Sequence, residues 1–168
     1  LLNNDIIDIA SESEKILPHF HIPLQSGSDK ILKLMKRRYL RNVYETRFEY
    51  IRKRIPNACI GSDVIVGFPG EDELEFIETY NFLKSIDISY LHVFSYSERS
   101  NTSSILLNKK VSKIIKNERS KTLRELSNSK KLEFYKKNLN NYHNVLFETE
   151  NKNGYIYGYT ENYVRVKS

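Results

Sequence analysis

The chain has 168 residues, 39% of them hydrophobic and 29% charged, with a net charge of +6; this supports one sizeable core or two small ones and argues against wholesale disorder. No apolar run approaches the roughly 18 residues of a membrane span, and no charged, apolar, small-residue leader is recognisable. Cys59 is the sole cysteine, which excludes an internal disulfide and an all-cysteine metal site and leads us to expect a reducing, cytoplasmic setting.

In chain order, an acidic run with spaced isoleucines over 4–16 predicts a helix that Pro18 ends. Residues 19–26 predict a strand, Gly27 a turn, and Ser28 with Asp29 the opening of a helix that sets Ile31, Leu32 and Met35 on one face. A second helix over 41–54 carries Tyr44, Phe48 and Ile51 at helical spacing. The cycle then repeats: a strand over 59–67, a Phe68-Pro69-Gly70-Glu71 turn, a helix over 71–84 buried through Leu74, Ile77, Tyr80 and Leu83, and a third strand over 88–96. A long basic helix is expected over 109–140. Strands follow over 144–150, 155–160 and 163–166, the first two joined by a Lys152-Asn153-Gly154 turn suited to a hairpin. Three strands lie near the lower limit for independent stability; further strands are expected after Ser168, and the start on Leu1 suggests that this end too is cut.

Strands alternating with helices imply parallel β/α units with right-handed crossovers, in which ligands gather at the C-terminal ends of the strands. Three motif-like runs fall there: 25–29 (QSGSD), 67–71 (GFPGE) and 95–99 (SYSER). Side chains alternate faces along a strand. His19, His21, Pro23 and Gln25 therefore share one face against Phe20, Ile22 and Leu24; His92, Phe94 and Tyr96 oppose Leu91 and Val93; Asp63 opposes Val64 and Val66. Aliphatic residues must pack under the helices, which turns the histidines, Gln25, Asp63 and Tyr96 toward the axis of a barrel. A solid barrel core would place branched aliphatics there, so a polar lumen implies a polar ligand.

The positive charge is concentrated between Lys109 and Lys137, where eleven Lys and Arg residues face Glu118, Glu125 and Glu133. Such a stretch is the electrostatic footprint of a polyanion partner, with Lys130, Lys131, Lys136 and Lys137 as candidate phosphate contacts; the plainer alternative is a solvated, lysine-rich linker helix.

These motifs, in this order, resemble the radical-SAM methylthiotransferases: residues 19–28 (HFHIPLQSGS) are similar to the family's fourth barrel strand, 63–71 (DVIVGFPGE) to its fifth, and a Tyr-Ser-x-Arg ending to its sixth. The resemblance implies an α/β fold, the C-terminal part of a radical-SAM (β/α) partial TIM barrel over 1–108, a basic linker helix over 109–141 and the beginning of a small all-β TRAM domain over 142–168. It further implies S-adenosylmethionine as cofactor, with Gln25, Ser26 and Ser28 bonding its ribose or amino-acid part, Asp63 lining the site and the Gly67 turn approaching the adenine. His92, Tyr96 and Arg99 would meet the substrate. The family's [4Fe-4S] clusters require cysteine triplets that this chain lacks, so it is expected to be inactive alone, with no metal ligated. Where Arg-Pro-Gly-Thr is common in the family, Arg99-Ser100-Asn101-Thr102 stands here. The implied activity is methylthiolation of C2 of an adenosine in the tRNA anticodon stem-loop. The runs over 92–99 and 158–164, and the charge of Arg99 against a carboxylate, favour the branch acting on N6-threonylcarbamoyladenosine over that acting on isopentenyladenosine.

Other readings of the same residues are simpler. Gln25, Ser26 and Ser28 could merely cap a helix, the Gly67–Glu71 segment could be an ordinary turn, Cys59 a small core residue, and Tyr155, Tyr157, Tyr159 and Tyr163 cross-strand packing partners. A metal-dependent barrel hydrolase using His19, His21, His92 and Asp63, or an RNA-binding module without catalysis, are the rival functions.

Overall fold

The computed structural model describes residues 2–100, 102–107 and 109–168, so Asn101 of the Arg99–Thr102 loop lies outside the described residues. The order is α1 (Asn4–Glu12), β1 (His19–His21), α2 (Asp29–Leu34), α3 (Arg41–Arg54), β2 (Cys59–Val66), α4 (Glu73–Ser85), β3 (Tyr90–Ser95), a 3-10 turn (Ser103–Leu106), α5 (Lys113–Lys137), β4 (Val145–Lys152), β5 (Tyr155–Thr160) and β6 (Arg165–Lys167). The fold is α/β. Strands β1, β2 and β3 form a three-stranded parallel sheet in that order, and β4, β5 and β6 a three-stranded antiparallel one.

The parity expected of the parallel strands holds. Phe20, Ile22, Leu24, Val64, Val66, Leu91 and Val93 are buried together with Tyr44, Phe48 and Ile51 of α3 and Phe82 and Leu83 of α4. Burying each large side chain contributes about 1.5–3 kcal/mol, which fixes which face of the sheet the helices cover. The opposite face carries His21, Asp63, His92 and Phe94, none of them fully buried.

Several boundaries differ from the sequence expectation. Regular pairing of β1 ends at His21 rather than Ser26, because Pro23 has no N–H to donate; only Gln25 rejoins β2, through a bridge to Val64. Helix α1 stops at Glu12 instead of Ile16. Helix α4 starts at Glu73, where Asp72 and Glu75 form a capping box; Leu83 and, in part, Tyr80 are buried as expected, whereas Leu74 and Ile77 are not. Leu74 is 72% and Ile77 45% exposed, whereas Phe76, Thr79, Phe82 and Leu83 are buried; the two aromatic rings cover more apolar area and take the inner face. Strand β6 begins at Arg165 because Tyr163 sits in a turn at φ 63°.

Helix α5 is capped by Ser112 and lies along β3. The Ser127 hydroxyl accepts from the Leu91 N–H at 2.8 Å and donates to the Leu91 carbonyl at 3.1 Å, occupying both backbone groups of that residue. The antiparallel sheet is tied to the rest by Asn162, fully buried, which donates to the Asn57 carbonyl and to Asn138 Oδ1 and accepts from Thr160. No helix among the described residues is long and apolar enough to cross a membrane.

Candidate functional site

A cleft of about 450 Å³ opens where the parallel strands end, and Gln25, Asp63, Ile65, Phe94, Tyr96 and Arg99 are among its walls. Gln25 arrives there through a kinked backbone. Its φ is 72°, a left-handed conformation rare for a residue with a side chain. It is held by its N–H on the Asp63 carbonyl (2.8 Å) and its own carbonyl on the Ile65 N–H (2.9 Å). Asp63 projects from the middle strand, its Oδ1 2.8 Å from His21 Nε2 and 3.4 Å from His92 Nδ1. On the far wall the Tyr96 hydroxyl donates to Ser104 Oγ at 2.8 Å, and the Arg99 carbonyl accepts from Thr102 at 2.9 Å.

Of the residues singled out in the sequence, Gln25, Asp63, Tyr96 and Arg99 meet in this cleft, and His92 joins it through Asp63. Ser26, Ser28 and Gly67 do not line it. Ser26 Oγ bonds Thr79 Oγ1 at 3.2 Å and the Ser28 N–H at 3.1 Å, under α4. Gly27 between them has no room for a side chain, since a Cβ would stand 2.7 Å from the Thr79 Cα. Gly67, at φ +75°, donates its N–H to Glu71 Oε2 at 3.0 Å, and the Lys116 side chain packs directly over it.

Glu71 stood out in the sequence only as the end of the 67–71 run and Arg119 only as one of the basic residues of the helix, yet together they anchor this turn. Arg119 Nη1 lies 2.8 Å from Glu71 Oε1 and also donates to the Glu71 carbonyl. Burial raises the Glu71 carboxyl above its ordinary range against the opposing pull of the Gly67 amide and Arg119. A signal for this was present: Arg119 falls on the same helical stripe as the buried Leu123, Ser127 and Phe134. Lys116 further bonds the Tyr96 carbonyl at 3.1 Å with its ammonium over the Tyr96 ring.

Among the four candidate phosphate-binding lysines, Lys130 Nζ donates to the Lys84 and Ile86 carbonyls at 2.8 Å and Lys137 pairs with Asp87 at 2.6 Å, both closing the C-terminal end of α4. Lys131 stands over the Tyr135 ring, and Lys136 is exposed. On the β sheet, Arg165 covers the rings of Tyr157 and Tyr159, and Lys167 that of Tyr155. Tyr163 stacks on His19 with ring centroids 4.1 Å apart. Cys59 is buried, and burial pushes its thiol up to about 11; one such thiol does not fit the several thiolates of an iron–sulfur cluster.

With this geometry in place, the relatives are informative. Residues 1–83 match the family model described as the radical SAM superfamily. The threonylcarbamoyladenosine tRNA methylthiotransferase MtaB of Aquifex aeolicus (strain VF5) is 45% identical over 166 residues, covering 99% of this chain and 39% of that protein. That of Bacillus subtilis (strain 168) is 40% identical over 170 residues, covering 98% of this chain and 38% of that protein. The tRNA-2-methylthio-N(6)-dimethylallyladenosine synthase of Carboxydothermus hydrogenoformans (strain ATCC BAA-161 / DSM 6008 / Z-2901) is 37% identical over 151 residues, 90% of this chain and 34% of that protein. The chain thus spans less than two fifths of the length of the curated relatives it matches.

Proposed function

Since this chain belongs to the radical SAM superfamily and is similar throughout to tRNA methylthiotransferases, we propose that it is the C-terminal part of an enzyme adding a methylthio group to C2 of N6-threonylcarbamoyladenosine in the tRNA anticodon stem-loop. Residues 1–108 supply the last strands of the partial barrel, 109–141 the linking helix and 142–168 the first strands of an RNA-binding TRAM domain.

The observation that carries this reading is the convergence of Gln25, Asp63, Tyr96 and Arg99 on one cleft at the strand ends. Its chemistry suits S-adenosylmethionine: carboxamide, carboxylate and hydroxyl groups for the ribose and amino-acid part, and Ile65 and Phe94 for a flat base. The cofactor supplies the radical and the methyl group when bound. Gln25 and Asp63 orient it, and the strand-end loops limit water around it. Ser26, Ser28 and Gly67 act one layer behind, shaping the two turns that bound the cleft. His92, Tyr96 and Arg99 face the nucleoside, and the Arg99 guanidinium complements the threonylcarbamoyl carboxylate, which an isopentenyl group lacks. Iron–sulfur ligation must come from cysteines other than Cys59.

Lys131 and Lys136, with the tyrosines and cations of the antiparallel sheet, offer the RNA phosphates and bases a basic, aromatic surface; Lys130 and Lys137 would have to exchange their present partners to join them. Mass spectrometry of tRNA nucleosides from a strain deleted for the gene tests the proposal. Loss of the 2-methylthio derivative of threonylcarbamoyladenosine, restored by the wild-type gene and poorly by Arg99→Ala, is expected. Loss of methylthio-isopentenyladenosine instead would assign the other branch.

A further inference from the structure

On the open face of the parallel sheet, His21 on β1, Asp63 on β2 and His92 on β3 bring one donor atom each to within 4.8 Å of the others. The topology makes this possible: Asp63 and His92 are register partners on adjacent strands, and His21, paired with Gly61, points across to the same spot. We propose that His21 Nε2, Asp63 Oδ1 and His92 Nδ1 bind one divalent transition-metal ion of the zinc class, a site distinct from any iron–sulfur centre and beyond the cofactor role given to Asp63 above.

Two imidazoles and one carboxylate on one side of an ion, with the other side open, form a donor set that zinc and its first-row neighbours accept and that magnesium or calcium, which favour oxygen, do not. Ligands held at about 2.0–2.2 Å in such a site stand roughly 3–3.5 Å apart. The His92–Asp63 separation of 3.4 Å already has that spacing. The His21–Asp63 contact of 2.8 Å is a direct hydrogen bond that opens by roughly 0.5 Å to admit the ion. Both partners are part-exposed, so the adjustment costs little packing.

The surroundings are those of a supported ligand. His21 Nδ1, the nitrogen turned away from Asp63, lies 3.4 Å from the Tyr90 hydroxyl, which also bonds His19 Nε2 at 3.0 Å. A second partner on the remote nitrogen is what orients a metal-binding histidine. Tyr90 reaches this place only because residue 61 is glycine: a Cβ there would stand 2.4 Å from the Tyr90 hydroxyl. Two neutral imidazoles and one carboxylate carry a single negative charge toward a dication.

The test is equilibrium dialysis of the purified chain against Zn²⁺ with elemental analysis, repeated with Co²⁺ and visible spectroscopy. One ion per chain is expected, with a Co²⁺ spectrum free of thiolate charge transfer. Asp63→Asn, which keeps side-chain volume, and His92→Asn, which removes the imidazole, should each weaken binding at least about tenfold, and Tyr90→Phe by about 10–100-fold; Cys59→Ala should bind as the wild type does. Circular dichroism verifies that each variant is folded. A folded wild-type chain that binds no ion, an ion retained in both Asp63→Asn and His92→Asn, or one lost in Cys59→Ala would overturn the proposal. None of these results bears on the nucleoside analysis above.

Discussion

Arg119 of the basic helix and Glu71 of the Gly67 turn meet at 2.8 Å with about 5% of either side chain left to solvent (6% and 4%). Through Glu71 the pair reaches the Gly67 amide, so a helix whose composition reads as surface is keyed into the end of the middle strand.

Removing one member of this pair strands a buried charge. Arg119→Leu is expected to cost about 3–5 kcal/mol, and the double variant Glu71→Gln/Arg119→Leu to recover a large part of that loss. Urea unfolding midpoints at unchanged slope measure both. Equal losses in the single and double variants would mean that packing, and not the ion pair, holds the turn.

Acidification should loosen the contact between the two sheets. Burial, and then the charge of His21, hold the His19 imidazole below its ordinary value of 6.5. The unfolded chain therefore takes up this proton first as pH falls, and the stability contributed here is complete above that value and lost as pH drops through it toward the lower folded value. Thermal melts at about pH 7.5 and about pH 5.5 should differ more for the wild type than for His19→Gln; parallel pH profiles would exclude His19 as the source.

Cys59 should be chemically quiet. With its thiol pushed up to about 11 by burial, a thiol reagent at mild alkaline pH is expected to label the native chain far more slowly than the urea-unfolded one. Anaerobic incubation with iron and sulfide should leave no [4Fe-4S] cluster on it, read as bound sulfide per chain. Stoichiometric sulfide would contradict this account of the lone thiol.

Asn162→Ala should release the antiparallel sheet. Its carboxamide satisfies the Asn57 carbonyl and Asn138 Oδ1, and because both bonds are part-buried each contributes about 0.5–1.5 kcal/mol. Limited proteolysis is expected to cut between α5 and β4 earlier in the variant than in the wild type.

The alternation of buried and polar residues along the parallel strands was legible in the sequence because one face must bury aliphatics, and the bounds of α3 matched to the residue. Gln25, Asp63 and Tyr96 could be placed together for the same reason, as polar residues of one parity near the strand ends, whereas Arg99 came only from the family resemblance. Ser26 and Ser28 were named from the family resemblance, although Ser26 has the parity of the buried Leu24; the φ of Gln25 turns the chain there under α4. On α4 the sequence expectation holds for Leu83 and in part for Tyr80 but not for Leu74 and Ile77, because two apolar stripes compete there and only tertiary packing chooses between them. In α5 the abundance of lysine hid the stripe through Arg119, and nothing local tells that Lys130 and Lys137 close another helix.

The Ser127 hydroxyl on both backbone groups of Leu91 also has a consequence for how the sheet can grow. An edge strand is a template for any extended chain that drifts past, and β3 is such an edge, but the hydrogen-bonding position at its start, Leu91, is already taken by a helix. A further strand is thereby kept off the start of β3, which favours growth of a larger barrel along β1. A Ser127→Val chain would expose a second growth edge and should self-associate through it.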